Sequence, residues 1–170
     1  EYLVADTEEK RKELIEKLLA QKEICFDTET TSVDAADCDI VGLSFSFEKH
    51  KGCYIPFPDE HAEAKKILHE FKSVFESENI LKIGQNIKFD IIVLKGYDMV
   101  IKGAMFDTMI AHYLIDAETK HNMNVLAENY LGYSPVSIET LIGKKGKNQG
   151  NMRDVELEQI KEYAVEDADI

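Results

Sequence analysis

Two acidic residues in the first part of the chain are spaced so that they could share one cation. Asp27 and Glu29 stand two positions apart at the end of the apolar strand pattern that begins at Ile24. Their side chains therefore point to the same face of the strand. Two carboxylates that close repel each other unless a cation lies between them. By itself, however, the pair is more typical of a solvated acidic turn, because Thr30 follows directly.

A third carboxylate falls near the start of a predicted helix. Asn86 is a natural N-cap for this helix, and Asp90 lies one turn further along on the same face. Taken alone, this pattern equally fits a helix cap followed by a surface charge.

The last predicted helix carries a tyrosine and a fourth carboxylate. Tyr163 and Asp167 are four residues apart and share one helix face. A tyrosine that fills the core, next to an exposed acidic face with Glu166 and Asp169, explains this pattern as well. No Cys/His cluster offers another set of ligands, so the chemistry available is carboxylate ligation, which selects Mg²⁺ or Mn²⁺ over zinc.

The hydrophobic pattern predicts an α/β fold that positions these groups. Short spacers between the first three strands indicate an antiparallel meander, and the alternating strand and helix patterns that follow indicate a mixed sheet with helices on both faces. The predicted strands are 24–28, 40–47, 52–55 and 80–83, and the predicted helices are 8–19, 60–75, 86–95, 107–114, 124–130 and 155–170.

Length, composition and charge limit the class of protein. The 170 residues, of which 44% are hydrophobic, suit one domain over 1–170 with a real core. No apolar run approaches the ~20 residues of a membrane span. The net charge of −13 argues against tight, sequence-independent binding of nucleic acid by this domain alone. It does not exclude a nuclease, because cations held by carboxylates can face the phosphate.

The ends of the chain and its cysteines add two expectations. The sequence begins with Glu1 rather than Met and stops inside a helical pattern, so we expect a piece of a longer polypeptide. Three cysteines without CxxC spacing argue against a disulfide framework or a zinc site and fit a reducing interior.

The order of the acidic groups resembles the DEDD exonuclease superfamily. Tyr163, four places before Asp167, is similar to its DEDDy branch, whereas the DEDDh branch has a histidine five places before, where this chain has Glu162. Residues 82–90 resemble the second motif of the 3′–5′ exonuclease (proofreading) domain of bacterial-type DNA polymerase I. Four further segments are similar to the same family: 106–109, 126–128, 146–149 and 163–169. The resemblance implies a ribonuclease H-like fold with a mixed five-stranded sheet.

The resemblance also implies two divalent metal ions, Mg²⁺ or Mn²⁺, and a role for each residue. Asp27 is expected to bridge both ions. Glu29 and Asp167 complete the site of the ion that activates water, and Asp90 supports the second ion. Tyr163 is expected to orient the attacking water, since a phenol with a pKa near ~10 is a poor base at neutral pH.

Six further residues are candidates for substrate binding. Thr30 is expected to contact the terminal nucleotide, and Val33 falls where the family places an apolar wedge against the terminal base, although a filler role for this valine is an alternative. The local basic run 144–149 is expected to contact the strand backbone, with a plain surface loop as its alternative. The remaining candidates lie in the polymerase-type segments: Gln85, Asn86, Lys147 and Asn148.

These residues predict an enzyme that hydrolyses single-stranded or mismatched DNA from the 3′ end to 5′-mononucleotides. Its partners would be a single-stranded DNA 3′ end and the polymerase domain of the same full-length chain. The fragment would be a monomer, free of membranes, in the bacterial cytoplasm at the nucleoid. Two alternatives stay open: a catalytically weak module that braces the polymerase domain, and an RNase D-like 3′–5′ exoribonuclease.

Overall fold

A mixed β-sheet forms the centre of the molecule. The computed structural model describes residues 1–146 and 148–170. Among them, the strands are β1 (Tyr2–Val4), β2 (Glu23–Thr30), β3 (Ile40–Glu48), β4 (Lys51–Pro56), β5 (Leu81–Gly84) and β6 (Met105–Asp107). They lie in the order β1-β4-β3-β2-β5-β6. Strand β3 is antiparallel to β2 and β4, and the other neighbours are parallel. The predicted antiparallel meander is therefore confirmed.

The number of strands differs from the prediction. The sheet has six strands among the described residues rather than five. Both edge strands, β1 and β6, contain only three residues. A run that short cannot show the alternation of apolar and polar residues by which strands are recognised. The α/β class and the ribonuclease H-like architecture are confirmed.

Helices connect most of the strands and also occur in the part of the chain after β6. They are α1 (Glu8–Leu19), α2 (His61–Glu70), α3 (Lys72–Phe75), α4 (Ile87–Gly96), α5 (Thr108–Ile115), α6 (Met123–Leu126), α7 (Glu139–Ile142) and α8 (Leu157–Asp169), with a π-helical turn at Ala127–Leu131 and a 3-10 turn at Met152–Asp154. The prediction of a single helix over 60–75 is wrong in one respect, because the structure has two helices that are separated at Phe71. There the backbone leaves the helical region (ψ 7°), while the Phe71 ring stacks on Phe45 with 5.6 Å between ring centroids.

Two apolar layers cover the two faces of the sheet. The larger core lies between the sheet and helices α1 to α4, and Phe26 contributes to it from β2. On the opposite face, Val41 and Tyr54 pack against Ile160 and Ala164 of α8. Helices on both faces are therefore confirmed. Among the residues described here, none of the helices combines the length and apolarity needed to cross a membrane.

A glycine in β4 permits the close approach of α8. A Cβ atom built at Gly52 would lie 2.4 Å from Val165 Cγ1 and 2.7 Å from the Phe45 carbonyl oxygen. Any side chain at this position would therefore push α8 away from the sheet. Because α8 carries Tyr163 and Asp167, the packing at Gly52 sets the distance between these groups and the strand carboxylates.

Candidate active site

Three carboxylates converge at the end of β2. One oxygen from each of Asp27, Glu29 and Asp167 lies within 4.8 Å of the others. Strand alternation explains the first two, because Phe26 enters the larger core while Asp27 and Glu29 point to the face covered by α8. Helix α8 supplies the third. The structure thus brings together three of the four carboxylates that the sequence analysis assigned to metal ions.

The fourth carboxylate, Asp90, is fixed to the same strand by Thr28. Asp90 Oδ1 accepts hydrogen bonds from the Thr28 backbone N–H (3.1 Å) and from the Thr28 hydroxyl (2.6 Å). Thr28 stands between Asp27 and Glu29, so these bonds hold Asp90 of α4 beside the other acids. Asp90 is itself buried, which excludes the surface charge that was an alternative at this position.

The end of α8 is tied to the far edge of the sheet by Asp169. Its Oδ2 accepts a hydrogen bond from the Tyr2 hydroxyl (2.8 Å), and its Oδ1 accepts one from the His50 backbone N–H (2.8 Å). The Asp169 side chain is only 4% exposed. The exposed acidic face that was an alternative for this helix is therefore wrong at Asp169, because these two donors satisfy a buried carboxylate.

Glu166 ties the same helix to a different segment. Its carboxylate accepts hydrogen bonds from the Tyr133 hydroxyl and from the Val136 backbone N–H (2.7 Å). Glu166 is buried, so the exposed face is wrong here too. Glu166 and Asp169 flank Asp167 and are held on either side of it. Together they fix the position of the carboxylate between them.

Burial and mutual repulsion raise the pKa values of the four acids in this site. Burial, together with the charges of Asp167 and Asp90, raises the pKa of Glu29 to about 8. Burial raises the pKa of Asp167 to about 7 and that of Asp90 to about 6, the latter against the hydrogen bonds from Thr28. For Asp27, burial and then the neighbouring carboxylates raise the pKa well above its usual value. Glu29 Oε1 is buried and has no hydrogen-bond partner among the described residues. These oxygens fit a hard divalent cation.

Tyr163 lies beside Asp167, one helical turn earlier. Burial, and then the negative charges of Asp167 and Glu29, raise the pKa of the Tyr163 phenol well above its usual value. The hydroxyl therefore keeps its proton at neutral pH. It keeps its donor proton at the edge of the carboxylate site, beside Asp167, and is unsuited to act as a base.

The predicted substrate residues Gln85 and Asn86 lie between β5 and α4. The Gln85 side chain donates to the His121 carbonyl oxygen (2.7 Å) and accepts from the Thr108 hydroxyl, so both of its ends are engaged within the chain. Asn86 occupies the N-cap position of α4 as predicted. The prediction that its side chain caps the helix is wrong: the backbone is left-handed (φ 57°), and the side chain forms no capping hydrogen bond within the described chain.

The other substrate candidates lie apart from one another. The Thr30 hydroxyl donates to the Ser32 carbonyl oxygen (2.8 Å) at the end of β2. Val33 is 94% exposed and is therefore free to contact a ligand, which argues against a filler role in this chain. Asn148 is exposed, and Lys147 lies outside the described residues. Their contacts with substrate remain predictions.

Sequence reasoning missed the contacts of two residues near the site. Thr28 was seen only as part of a strand, although its backbone N–H and hydroxyl both donate to Asp90 of α4. Asp107 was included in a motif without a role, and its Oδ1 accepts hydrogen bonds from Asn86, Met109 and Ile110. A helix-start signal, an aspartate before Thr108, indicated the last two of these bonds.

The sequence of the whole chain matches a known family. The profile described as "3′-5′ exonuclease" matches residues 2–170. The chain belongs to this family. Among curated relatives, DNA polymerase I of Pseudomonas aeruginosa is 36% identical over an alignment of 165 residues that covers 92% of this exonuclease chain. DNA polymerase I of Borreliella burgdorferi is 40% identical over an alignment of 161 residues that covers 93% of the chain. The chain spans 18% and 17% of these two relatives.

Solved structures share the fold at lower identity. The catalytic core of Trypanosoma brucei RRP6 superposes with a TM-score of 0.73 at 18% identity, over 98% of this chain and 43% of that one. Escherichia coli RNase D, an exoribonuclease involved in structured RNA processing, gives 0.72 at 18% identity, over 99% and 42%. Brucella melitensis NrnC with bound Mg²⁺ gives 0.70 at 18% identity, over 98% and 73%. At these identities the likeness concerns the fold.

Proposed function

We propose that the chain is a metal-dependent 3′–5′ exonuclease that removes nucleotides from single-stranded or mismatched DNA ends as 5′-mononucleotides. The observation that carries the proposal is the convergence of Asp27, Glu29 and Asp167 within 4.8 Å, with a buried Glu29 oxygen that has no hydrogen-bond partner in the part of the chain that the structure describes. Three acids that close are destabilising unless they bind cations. A nuclease that binds divalent cations would use such a cluster of carboxylates as its metal ligands.

Each acidic residue would hold a divalent cation in a distinct way. Asp27 would contact two ions, with Glu29 and Asp167 completing the first site. Asp90, held by Thr28, would support the second. Bound there, Mg²⁺ or Mn²⁺ would neutralise charge on the phosphate and on both oxygens of the in-line displacement. Oxygen-only ligation favours these ions over zinc.

The remaining residues would orient the water and the strand. The Tyr163 hydroxyl, which keeps its proton, would hold the attacking oxygen in line with the scissile phosphate. Thr30 and the exposed Val33 would contact the terminal nucleotide, and the 144–149 run would contact the strand backbone. The site would act preferentially on single-stranded or mismatched ends, because the terminal nucleotide there costs the least free energy to unpair.

The length of the relatives supports a proposal about the larger protein in which this activity would occur. Because the chain spans about a sixth of two DNA polymerase I proteins, we place it as one domain, residues 1–170, of a longer polymerase in the bacterial cytoplasm. There it would edit misincorporated nucleotides. The net charge of the chain is −13. Such a charge suits a domain that receives a DNA strand from a neighbouring DNA-binding domain and does not bind duplex DNA by itself.

An exoribonuclease is the second candidate, because Escherichia coli RNase D has the same fold. The relatives at 36% and 40% identity are DNA polymerases, whereas RNase D is 18% identical. We therefore favour DNA.

One assay separates these functions. A 5′-labelled DNA oligonucleotide with a 3′ mismatch, and an RNA of the same sequence, would be incubated with the chain and Mn²⁺, with and without EDTA. We expect a DNA ladder that EDTA abolishes and that Asp27→Ala does not produce. A ladder on RNA alone would favour the exoribonuclease. No ladder on either strand, from a folded chain, would favour a module that only braces a polymerase.

A further inference from the structure

One carboxylate oxygen joins the starts of two helices. Asp107 Oδ1 accepts hydrogen bonds from Met109 N (2.9 Å) and Ile110 N (3.2 Å), which is an ordinary N-cap for α5. The same oxygen accepts a third bond, from Asn86 N at 3.1 Å. Asn86 is 21 residues away in sequence and takes no part in α5. Capping therefore explains two of the three bonds and leaves the third without a purpose.

The third bond falls on a turn that needs support. Asn86 has a left-handed backbone (φ 57°, ψ 42°), which is uncommon for a residue with a Cβ atom. This turn directs the chain from β5 into α4. Its first hydrogen bond, from Phe89 N to the Asn86 carbonyl oxygen, is 2.8 Å long. Asp107 holds the turn from outside, because its acceptor comes from the neighbouring strand.

The strand register places Asp107 where it can do this. In the parallel pair of β5 and β6, Gly84 lies opposite Asp107. The single proton of the adjacent Thr108 hydroxyl is shared between the Gly84 carbonyl oxygen (3.3 Å) and the Gln85 side-chain oxygen. Asp107 and Thr108 thus contact three consecutive residues, 84–86, at the entrance to α4.

The turn controls the direction of Asp90. Asp90 lies one turn into α4, where Thr28 holds one of its oxygens. A helix whose start shifts would carry Asp90 away from β2. We propose that Asp107 is a positioning residue for Asp90: through Asn86 it fixes the start of α4 and with it the fourth carboxylate of the site. The statement about the metal rests on the proposed function, whereas the statement about the turn does not.

Substitutions can separate capping from positioning. Asp107→Ser keeps an N-cap for α5, but its hydroxyl lies one bond closer to the backbone and falls short of Asn86 N. Asp107→Asn keeps an acceptor at the same reach and removes the charge. Glu60→Ser is the matched control, because Glu60 caps α2 through two backbone N–H groups and, among the described residues, forms no hydrogen bond with Asn86. If Asp107→Ser does not fold, Asp107→Thr can replace it, because threonine also keeps the N-cap and has the same short reach.

Amide hydrogen exchange, measured by NMR without metal, tests the turn directly. In Asp107→Ser we expect the Phe89 amide to exchange about tenfold faster or more, since its partner Asn86 is no longer held. The Met109 and Ile110 amides stay protected. Asp107→Asn should restore the native Phe89 rate. A native Phe89 rate in Asp107→Ser, equal acceleration in Glu60→Ser, or no rescue by Asp107→Asn would overturn the proposal.

Calorimetric titration with Mn²⁺ tests the consequence for the site. We expect Asp107→Ser to weaken by about tenfold the binding of the ion that Asp90 supports and to leave the binding of the other ion unchanged, because residues that support metal ligands have effects of this size. Glu60→Ser should bind both ions as the native chain does. Equal weakening of both ions would overturn the link to Asp90. If the native chain binds no Mn²⁺, the proposed function fails, while the exchange rates still decide the role of Asp107 at the turn.

Discussion

Thr28 and Asp90 form a two-point contact in which one carboxylate oxygen accepts both the hydroxyl and the backbone N–H of the threonine. The two residues are 62 positions apart and both are buried. Thr28 belongs to the strand that carries Asp27 and Glu29. This contact therefore ties the Asp90 carboxylate of α4 directly to the strand that carries the other two acids.

Thr28→Val tests that contact. Valine keeps the shape and the backbone donor and removes the hydroxyl donor. We expect a loss of about 1.5–3 kcal/mol in the free energy of unfolding, the usual contribution of a hydrogen bond to a charged group, and a fall of about tenfold in kcat. Urea unfolding and steady-state exonuclease kinetics measure the two effects. Thr28→Ser, which keeps a hydroxyl, should stay near native values. Equal losses in both variants would contradict the assignment.

The raised carboxyl pKa values predict how stability depends on pH without metal. An acid whose pKa is higher in the folded state binds its proton more tightly there than in the unfolded chain. Its contribution is fully present below the unfolded pKa and is lost as pH rises through the folded value. For Glu29 that window runs from the ordinary 4.5 to about 8, and for Asp167 from 3.8 to about 7.

The free energy of unfolding in EDTA should therefore fall between pH 4.5 and about 8, more steeply in the native chain than in Glu29→Gln. Comparison with this variant removes the effect of surface acids such as Asp6 and Glu76, whose pKa values are lowered. Saturating Mn²⁺ at pH 8 should restore stability to the native chain. Identical pH slopes for the two chains would show that the acids do not repel as described.

Gly52→Ala tests the approach of α8 to the sheet. The added methyl group would meet Val165 and the Phe45 carbonyl oxygen. We expect a loss of about 1–3 kcal/mol, as in other overpacked sites, together with reduced kcat because Asp167 moves with the helix. Thermal unfolding and kinetics measure these effects. Gly96→Ala is the control, because its methyl group meets nothing within 4 Å in the described structure. Native stability in Gly52→Ala would contradict the close packing.

Tyr163→Phe tests the role of the phenol hydroxyl. Removal of a donor that orients the attacking water should lower kcat by about tenfold or more and leave KM nearly unchanged, because the loss appears in the transition state. Single-turnover and steady-state rates on a mismatched oligonucleotide provide the comparison. An unchanged kcat, or a change confined to KM, would mean that Tyr163 only fills space beside Asp167.

Local patterns in the sequence predicted the central elements but not the edges. Strands β2 to β5 are long or apolar enough to be recognised, and the spacing of Asp27 and Glu29 placed both acids on one face. The three-residue strands β1 and β6 form only because longer neighbours offer them backbone partners. No window of sequence around them shows those partners.

The predicted site was recovered in part for a similar reason. Spacing within one strand or helix showed which side chains share a face, but it could not show that Asp167 meets Glu29 across 138 residues. Family resemblance supplied that convergence, and the structure places the groups together. The engaged side chain of Gln85 and the left-handed Asn86 depend on Thr108, His121 and Asp107, which lie in other segments. Such contacts are fixed by tertiary packing.

Anomalous diffraction from crystals of the chain grown in Mn²⁺ is the most direct test of the metal site. We predict density between Asp27, Glu29 and Asp167, with Glu29 Oε1 among the ligands, and a second, weaker peak shared by Asp27 and Asp90. The absence of density at a saturating Mn²⁺ concentration, with these four side chains turned away from one another, would contradict the account.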